Sequence, residues 1–351
     1  MTSSRNGHDA QDTPVRVAMV GLGYWGPNLI RVLHELPEAE VRVACDTSEE
    51  ALAKIRRRYP AVELSTSYAE VLARPDIDAV AIATPVATHH ELAAAALEAG
   101  KHVFVEKPLA GTSAQAEDLL SLASEFGLTL MPGHTFLYSP PVNLVRDLIR
   151  SGELGEIYFI STSRVNLGLH QSDVSVFWDL GPHDFSILRY WLDESPREIS
   201  AVCRSCIFPG TPDVAFATLQ FPCGTLAHVE LSWLAPSKLR RTAVVGSRKM
   251  VVYDDTSNEP VRIFDSGVEL PDPESFGEYK LSYRSGTIVS PPVAGTEPLA
   301  LELRDFCRAV RTGLSPVSSA EIGLDVVRMI ETAEGSAGPR SGADTERRLV
   351  V

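Results

Sequence analysis

Two titratable side chains four residues apart give the clearest sign of chemistry in this sequence. Asp179 and His183 lie in the run WDLGPHD, where Pro182 suits the first turn of a helix because its missing N–H costs nothing there. Residues four apart share one side of a helix, so both side chains can point into one cleft. An imidazole suits proton transfer near neutral pH, and a carboxylate beside it can orient it. A helix cap at Asp179 and a surface histidine at His183 would give the same spacing.

Polar side chains also follow three apolar runs in the first half of the chain, at the points where strands would end. They are Thr84 and Pro85, with His89 shortly after; Glu106 and Lys107, before Pro108; and His134. The carboxyl ends of parallel strands meet at one edge of a sheet, so we expect these residues near one another. Lys107 stands between an apolar run and a proline, which predicts a side chain projecting into a cleft. For any single strand end, a polar loop stopped by proline is the alternative.

The element that must position these groups is a strand, turn and helix at residues 15–33, which read VRVAMVGLGYWGPNLIRVL. A G-x-G-x-x-G pattern lies between the apolar run and the helical repeat, the context in which this pattern indicates a dinucleotide site. Gly21 permits a tight turn, Gly23 lets the backbone approach a pyrophosphate, and Gly26 lets the helix pack on the strand. The residues predicted to line the cofactor here are Gly21, Gly23, Tyr24, Trp25 and Gly26.

An acidic residue at the end of the second apolar run specifies the cofactor. The run VRVAC at residues 41–45 ends in Asp46, about 20 residues beyond the glycines, where a carboxylate accepts hydrogen bonds from both ribose hydroxyls of NAD. A carboxylate would repel the 2′-phosphate of NADP, and no arginine follows Asp46 directly. The sequence therefore predicts NAD rather than NADP.

The order of strands and helices changes near residue 136. From Val15 to about Leu130 strands alternate with helices, which predicts a doubly wound parallel sheet of the Rossmann type. Beyond Pro140, consecutive strands predict an α+β domain with a large, mainly antiparallel, open-faced sheet, interrupted by one helix at residues 181–192. The predicted segments are a disordered N-terminus (1–13), an NAD-binding domain (14–135), a substrate and oligomerisation domain (136–334) and a flexible tail (335–351).

Two features of the second domain carry further expectations. Residues 254–298 are rich in Pro, Gly and Ser, so we expect loops with few strands there, and the helices that follow can pack back on the first domain. The sheet has no obvious amphipathic cover for both faces, so we expect one face to form a homodimer or homotetramer.

Charge and cysteine usage exclude several classes of partner. The net charge is −14 and there is no basic block beyond residues 56–58, which argues against nucleic acid and anionic membranes as partners. Nothing resembles a signal peptide or a membrane span, so the expected location is the cytoplasm. The five cysteines are scattered, and the C-x-x-C at Cys203 and Cys206 has no second pair, so no metal site is predicted.

Taken together, the motifs resemble the Gfo/Idh/MocA family of sugar and cyclitol oxidoreductases, from about Val15 to Ala333. The resemblance rests on the GLGYWG turn, Asp46, Thr84-Pro85 with His89, Glu106-Lys107-Pro108, and Asp179-x-x-x-His183. The run SRVNLGLHQSDVSVFWDLGPHD (163–184) is similar to family members that act on nucleotide-linked sugars, the UDP-N-acetylglucosaminuronate 3-dehydrogenases. It also resembles the sugar 3-ketoreductases of antibiotic pathways.

The resemblance implies NAD on the first domain, a sugar in a cleft between the domains, and hydride transfer at a ring carbinol, with C3 favoured. It implies Lys107, Asp179 and His183 as the catalytic trio. The cofactor residues it adds are Thr84, Pro85, His89, Glu106, Lys107 and His134. The substrate residues are Lys107, His134, Arg164, Asn166, Trp178, Asp179 and His183, among which Arg164 and Asn166 would bind hydroxyl, carboxylate or phosphate groups. Whether Lys107 or His183 is the terminal base stays open.

Three other activities fit the same motifs. An NAD-dependent glycosidase would oxidise its sugar transiently, a cyclitol dehydrogenase would act on an inositol-type ring, and a regulator would only sense dinucleotide. A regulator has no need of Lys107, Asp179 and His183 together, so the presence of all three counts against it.

Overall fold

The structure, a computed structural model, describes residues 13–168, 174–269 and 282–337. The strands are β1 (Val15–Val20), β2 (Ala39–Cys45), β3 (Glu63–Ser65), β4 (Ala79–Ile82), β5 (His102–Glu106), β6 (Leu130–Gly133), β7 (Ile157–Leu167), β8 (Glu198–Arg204), β9 (Val214–Gln220), β10 (Leu226–Ser232), β11 (Leu234–Gly246), β12 (Met250–Asp254), β13 (Val261–Glu269) and β14 (Ser282–Val289). The helices are α1 (Gly26–Glu35), α2 (Glu49–Arg58), α3 (Tyr68–Leu72), α4 (His89–Glu98), α5 (Ser113–Phe126), α6 (Pro140–Arg150), α7 (Val176–Asp179), α8 (Gly181–Leu192), α9 (Pro298–Thr312) and α10 (Ala320–Ser336).

The chain divides into two compact units. The first consists of Met1–Tyr138 and Thr296–Val327, and the second of Ser139–Gly295 and Arg328–Val351. The return of the chain to the first unit after Gly295 means that α9 belongs with the Rossmann sheet. The first unit carries a parallel sheet and the second a large, mostly antiparallel one, so the predicted fold class is confirmed.

The first unit is built on a six-stranded parallel sheet in the order β3-β2-β1-β4-β5-β6. The central strand β4 is buried along its whole length, as expected for a parallel sheet that is covered on both faces. The strand order reverses between β1 and β4, which opens a crevice at the carboxyl ends of these strands. On α9, Phe306 meets Phe104 of β5 edge to face at 5.8 Å.

The second unit is built on an eight-stranded sheet in the order β14-β13-β12-β11-β7-β10-β9-β8. All neighbours are antiparallel except β7 and β10, which run parallel. Burial alternates along β9, where Ala215, Ala217 and Leu219 are buried and Phe216 is exposed. The helices α6 and α7 contact β12, β9 and β10, so they cover the buried face of the sheet.

The opposite face of this sheet carries exposed apolar side chains among polar ones. Val202 pairs with Phe216 across β8 and β9, and Leu226 pairs with Phe159 across β10 and β7. All four side chains are exposed. Cross-strand partners point to the same face, so these residues form two apolar pairs on the open side of the sheet. Thr218 and His228, which are paired on the same face, lie between them.

Within residues 254–298, where loops with few strands are expected, the described residues beyond β12 form two strands, β13 and β14, which pair antiparallel and extend the sheet at its edge. The alternation Val261, Ile263 around polar residues supplies the strand pattern that the Pro and Gly content obscured. The tail predicted from 335 begins inside α10, which ends at Ser336. Residues 1–12 and 338–351, which carry the other terminal predictions, lie outside the described residues.

Within the ranges that the structure describes, no helix has both the length and the apolar character needed to cross a membrane.

Candidate active site

The glycine turn after β1 is packed so tightly that two of its three glycines have no room for a side chain. A Cβ on Gly21 would lie 2.6 Å from the carbonyl oxygen of Ala83, and Gly21 has a φ of 89°, which disfavours other residues. A Cβ on Gly26 would run into the carbonyl oxygen of Gly21. Gly23 differs, because nothing lies within 4 Å of the position of its missing Cβ. Its open backbone is the part of the turn that a pyrophosphate can approach.

Asp46, predicted to bind ribose, is tied to the glycine turn itself. Its Oδ2 accepts the N–H of Leu22 at 2.6 Å, and its Oδ1 accepts the N–H of Ser48 at 2.7 Å. The carboxylate is half-buried, so it joins the turn to the start of α2 and still reaches the crevice. Tyr24 and Trp25 stack edge to face at 5.6 Å, and Tyr24 is 84% exposed. Their predicted contact with the cofactor stays a prediction.

His89 holds together the segments that follow β4 and β5. Its Nε2 lies 2.9 Å from the carbonyl oxygen of Thr84, and its Nδ1 lies 2.8 Å from that of Pro108. The ring is buried, and burial lowers the pKa of His89. A neutral imidazole carries one N–H, so it donates to one of these two carbonyls, while its other nitrogen lies against the second. The structure thus places His89 between Pro108 and the loop that carries Thr84 and Pro85. A direct contact between His89 and the cofactor stays a prediction.

Lys107 lies among buried ionisable groups at the ends of β5 and β6. The backbone N–H of Lys107 donates to Oε2 of Glu106 at 3.3 Å. Burial raises the pKa of Glu106 to about 7, although the Lys107 charge and this hydrogen bond oppose the shift. Burial lowers the pKa of His134 to about 3, and the charge of Lys107 adds to the effect. The imidazole of His134 is therefore neutral.

The two ring nitrogens of His134 are buried and have no hydrogen-bond partner among the described residues. Buried polar atoms in native proteins are normally satisfied, so nitrogens without partners point to a group supplied from outside the chain. A neutral imidazole can donate from one nitrogen and accept at the other. It therefore suits a ligand that carries both hydroxyl and carbonyl groups.

In the second unit, Asp179 and His183 lie on two consecutive helices, α7 and α8, rather than on one. Asp179 ends α7 and His183 lies in the first turn of α8, with Leu180 between the helices. The expectation that one helix start carries both is therefore wrong in detail. The side chains of Asp179 and His183 are both half-buried. Trp233, which follows β10 and is buried, donates its Nε1–H to Oδ2 of Asp179 at 2.9 Å and so fixes the carboxylate.

The residue after His183 anchors α8 to the sheet. Thr162 Oγ1 donates to Oδ1 of Asp184 at 2.6 Å, and Nε of Arg164 pairs with Oδ2 at 2.5 Å. Arg164 and Asp184 are both buried, so the first turn of α8 is held at a fixed point on β7. Arg164, predicted as a substrate ligand, is thus placed in a structural ion pair. Its predicted contact with substrate stays a prediction.

The remaining predicted substrate residues lie near the same elements. Oδ1 of Asn166 is buried without a partner in the described chain, which fits a role in binding a ligand. Trp178 donates its Nε1–H to Oε2 of Glu334 at 3.0 Å. Sequence reasoning missed Trp233, Asp184 and Glu302. Of these three, Glu302 could have been recognised in the sequence, because it is an acidic residue on the apolar face of α9.

Comparison with known proteins finds a matching domain family in each of the two units. Residues 15–134 match the Gfo/Idh/MocA oxidoreductase family with its NAD-binding Rossmann fold, and residues 142–252 match the GFO/IDH/MocA C-terminal domain. The chain belongs to the Gfo/Idh/MocA family. The predicted family and the predicted cofactor, NAD, are confirmed.

Relatives and a solved structure extend over most of the chain. A 4-carboxy-2-hydroxymuconate-6-semialdehyde dehydrogenase of Sphingobium sp. (strain NBRC 103272 / SYK-6) is 34% identical over 91% of this chain and 98% of its own. A dTDP-3,4-didehydro-2,6-dideoxy-alpha-D-glucose 3-reductase of Saccharopolyspora spinosa is 28% identical over 80% of this chain and 92% of its own. The crystal structure of GenD2 from gentamicin A biosynthesis, in complex with NAD, has the same fold. Its TM-score is 0.79 at 23% identity, over 96% of this chain and 97% of that one.

The glycine turn gives a matched pair of variants. Gly26→Ala should destabilise the protein by about 1–3 kcal/mol, because its Cβ overlaps a backbone oxygen that cannot move freely. Gly23→Ala has space for its Cβ, so it should keep the wild-type thermal midpoint while weakening NAD binding by about tenfold, ~1.4 kcal/mol. Thermal denaturation and titration calorimetry with NAD check both. A Gly23→Ala protein with wild-type NAD affinity would contradict the assigned role of this backbone.

Proposed function

We propose that this protein is an NAD-dependent dehydrogenase or ketoreductase that acts on a ring carbinol of a nucleotide-linked sugar, with C3 as the favoured position. The observation that carries the proposal is Lys107 beside the buried neutral imidazole of His134, whose two ring nitrogens have no partner in the described chain. An ammonium beside a neutral imidazole can stabilise the negative charge that develops on a substrate oxygen as it changes between hydroxyl and carbonyl.

Each residue then has a role in the oxidation of the carbinol. When bound, NAD would supply the hydride acceptor, nicotinamide C4. His183 takes the hydroxyl proton as general base, while the ammonium of Lys107 stabilises the negative charge that develops on the oxygen. Asp179 orients His183, and Trp233 holds Asp179 through the hydrogen bond to its Oδ2. In the reducing direction His183 returns the proton to the same oxygen.

The cofactor site has the groups that NAD needs. The exposed backbone of Gly23 would meet the pyrophosphate, and Asp46, already fixed by Leu22 and Ser48, would accept from the ribose hydroxyls. Because the carboxylate would repel a 2′-phosphate, we propose a preference for NAD over NADP.

The relatives support two substrate classes. The Saccharopolyspora relative acts on a dTDP-linked sugar at C3, which supports the nucleotide-sugar proposal. The Sphingobium relative is named for a carboxylated semialdehyde and has the higher identity, so it favours a second candidate, an acid semialdehyde. An aldehyde hydrate presents the same H–C–O–H group as a sugar carbinol, so His183 and Lys107 would act on it in the same way.

A substrate screen separates these candidates. Purified protein is incubated with nucleotide sugars, free sugars, inositols and carboxylated semialdehydes, each with NAD and NADP, and nicotinamide absorbance is followed. We expect the largest kcat/KM with a nucleotide sugar and NAD. A semialdehyde as best substrate would favour the second candidate, and an inositol a cyclitol dehydrogenase. Aglycone release without net NADH would show a glycosidase, and dinucleotide binding without turnover a regulator.

Variants of the two proposed catalytic residues test the mechanism. His183→Asn should lower kcat by roughly 10²- to 10⁴-fold, the usual contribution of a general base, and Lys107→Ala should also lower kcat. Both should keep NAD affinity, because neither residue is proposed to hold the pyrophosphate.

His90→Asn and Lys54→Ala are the matched controls, since His90 pairs with Asp118 and Lys54 with Glu50 on the surface. Steady-state kinetics, NAD titration and thermal midpoints are measured on all four variants. Turnover near wild type in both active-site variants would refute the mechanism.

We further propose that the open sheet face of the second unit packs against another copy of this chain as a dimer or tetramer. Phe216→Glu places a charge in the apolar pair that Phe216 forms with Val202 on this face, so it should lower the oligomeric state. Phe126→Glu, an exposed aromatic position on α5, is the control and should not. Light scattering measures both. A wild-type protein that is monomeric at micromolar concentration would contradict the proposal.

A further inference from the structure

A buried carboxylate closes the loop between β8 and β9. Asp213, the residue before β9, is 1% exposed. Both of its oxygens accept the backbone N–H of Cys206 at 3.0 Å, and Oδ2 also accepts the N–H of Ile207 at 2.8 Å. Cys206 and Ile207 are themselves exposed, so burial of their side chains does little to hold this segment. Hydrogen bonds to a charged oxygen are strong, so the carboxylate of Asp213 fixes the path of the loop.

Two consecutive carbonyl groups at the end of this loop bind the elements around Asp179. The carbonyl of Pro212 accepts the N–H of Val176, the first residue of α7, at 2.9 Å. The carbonyl of Asp213 accepts the N–H of Trp233 at 3.0 Å. Helix α7 ends at Asp179, and the indole of Trp233 donates to the carboxylate of Asp179. The loop therefore reaches Asp179 by two routes, through its helix and through its hydrogen-bond donor.

Both of these elements need support from outside. Helix α7 has four residues, fewer than an isolated helix needs to be stable. Trp233 lies just past the end of β10, and its carbonyl accepts the N–H of Gly168 at 3.0 Å. A Cβ on Gly168 would lie 2.9 Å from Cδ1 of Trp233, so the backbone of Gly168 packs closely on the indole. The backbone of Trp233 is thus bound to Gly168 and to Asp213, and a displacement of Asp213 would reach the indole.

We propose that Asp213 is a positioning residue for Asp179, which acts through the loop that its carboxylate holds. Without this carboxylate, residues 205–212 are released, and the carbonyls of Pro212 and Asp213 no longer hold α7 and Trp233 at fixed points. The hydrogen bond from the Trp233 indole to Asp179 is then weakened. The bearing of Asp213 on turnover rests on the proposed function, in which Asp179 orients His183.

The indole N–H resonance of Trp233 tests the positioning without relying on turnover. Full-length protein labelled with ¹⁵N at tryptophan gives four indole signals, and that of Trp233 is assigned by its loss in Trp233→Phe. Asp213→Asn keeps one acceptor oxygen and Asp213→Ala keeps none. The proton resonance should therefore move upfield in the asparagine variant, and further in the alanine variant, as the hydrogen bond to Asp179 weakens.

A second acid that binds a backbone N–H in the same unit supplies the matched control. Oε1 of Glu194 accepts the N–H of Cys223 at 2.9 Å, in the turn beyond the other end of β9. Glu194→Gln should leave the Trp233 resonance in place. If the resonance is also in place in folded Asp213→Asn, the loop does not position the indole and the proposal is wrong.

Amide exchange in the wild-type protein decides the point even if the Asp213 variants do not fold. Protein labelled with ¹⁵N at cysteine gives five backbone signals, and that of Cys206 is assigned by its loss in Cys206→Ser. Cys206 is exposed, but its N–H is bound by the carboxylate of Asp213. We expect this N–H to exchange at least about tenfold more slowly than in an unstructured peptide. Exchange at the peptide rate would show that Asp213 does not hold the loop.

Steady-state kinetics on the best substrate of the screen connect the positioning to turnover. Asp213→Asn should lower kcat by roughly 10- to 100-fold, as a small misplacement of a catalytic group does, and should keep KM and NAD affinity. Wild-type kcat in Asp213→Asn, with His183→Asn impaired, would overturn the role of Asp213 in turnover. If His183→Asn itself keeps full turnover, the proposed function fails, while the Trp233 resonance and the Cys206 exchange still decide on Asp213.

Discussion

The first unit depends on how closely the backbone of Gly26 approaches the carbonyl of Gly21. This contact leaves no room for a side chain, so it brings the start of α1 against the end of β1. Gly21 in turn lies against Ala83 at the end of β4, and the N–H of Leu22 binds Asp46 at the end of β2. One turn therefore joins the carboxyl ends of three strands at the point where the strand order reverses.

In the second unit, side-chain contacts between distant segments, rather than a close backbone approach, fix the proposed active-site residues. Its proposed base and orienting acid lie at the junction of α7 and α8, and α7 has only four residues, too few to be a stable helix by itself. The buried pair of Arg164 and Asp184 holds one side of the junction to β7, and Trp233 holds Asp179 on the other. Removing either partner of a buried ion pair leaves an unpaired buried charge and strongly destabilises the fold. We therefore expect Arg164 and Asp184 to tolerate substitution poorly.

The sequence alone predicts those features that depend on residue spacing and backbone preference within a short segment. The glycine turn, Asp46 and the helix from Gly181 follow from spacing and backbone preference within a few residues, and the structure has them at those positions. The helix break at Leu180, the structural partner of Arg164 and the burial of Glu302 depend on contacts between distant segments. Glu302 meets Thr135 across 167 residues, and Trp233 meets Asp179 across 54, distances over which no local pattern carries information.

We propose that Lys107 and His183 act on the same reacting oxygen. A double-mutant cycle tests it most directly, with kcat/KM measured for wild type, Lys107→Ala, His183→Asn and the double variant on the best substrate of the screen. Groups that act as one unit are strongly non-additive, so the account predicts that the double variant loses little more activity than the worse single variant. Losses that multiply would show two independent contributions and would contradict the account.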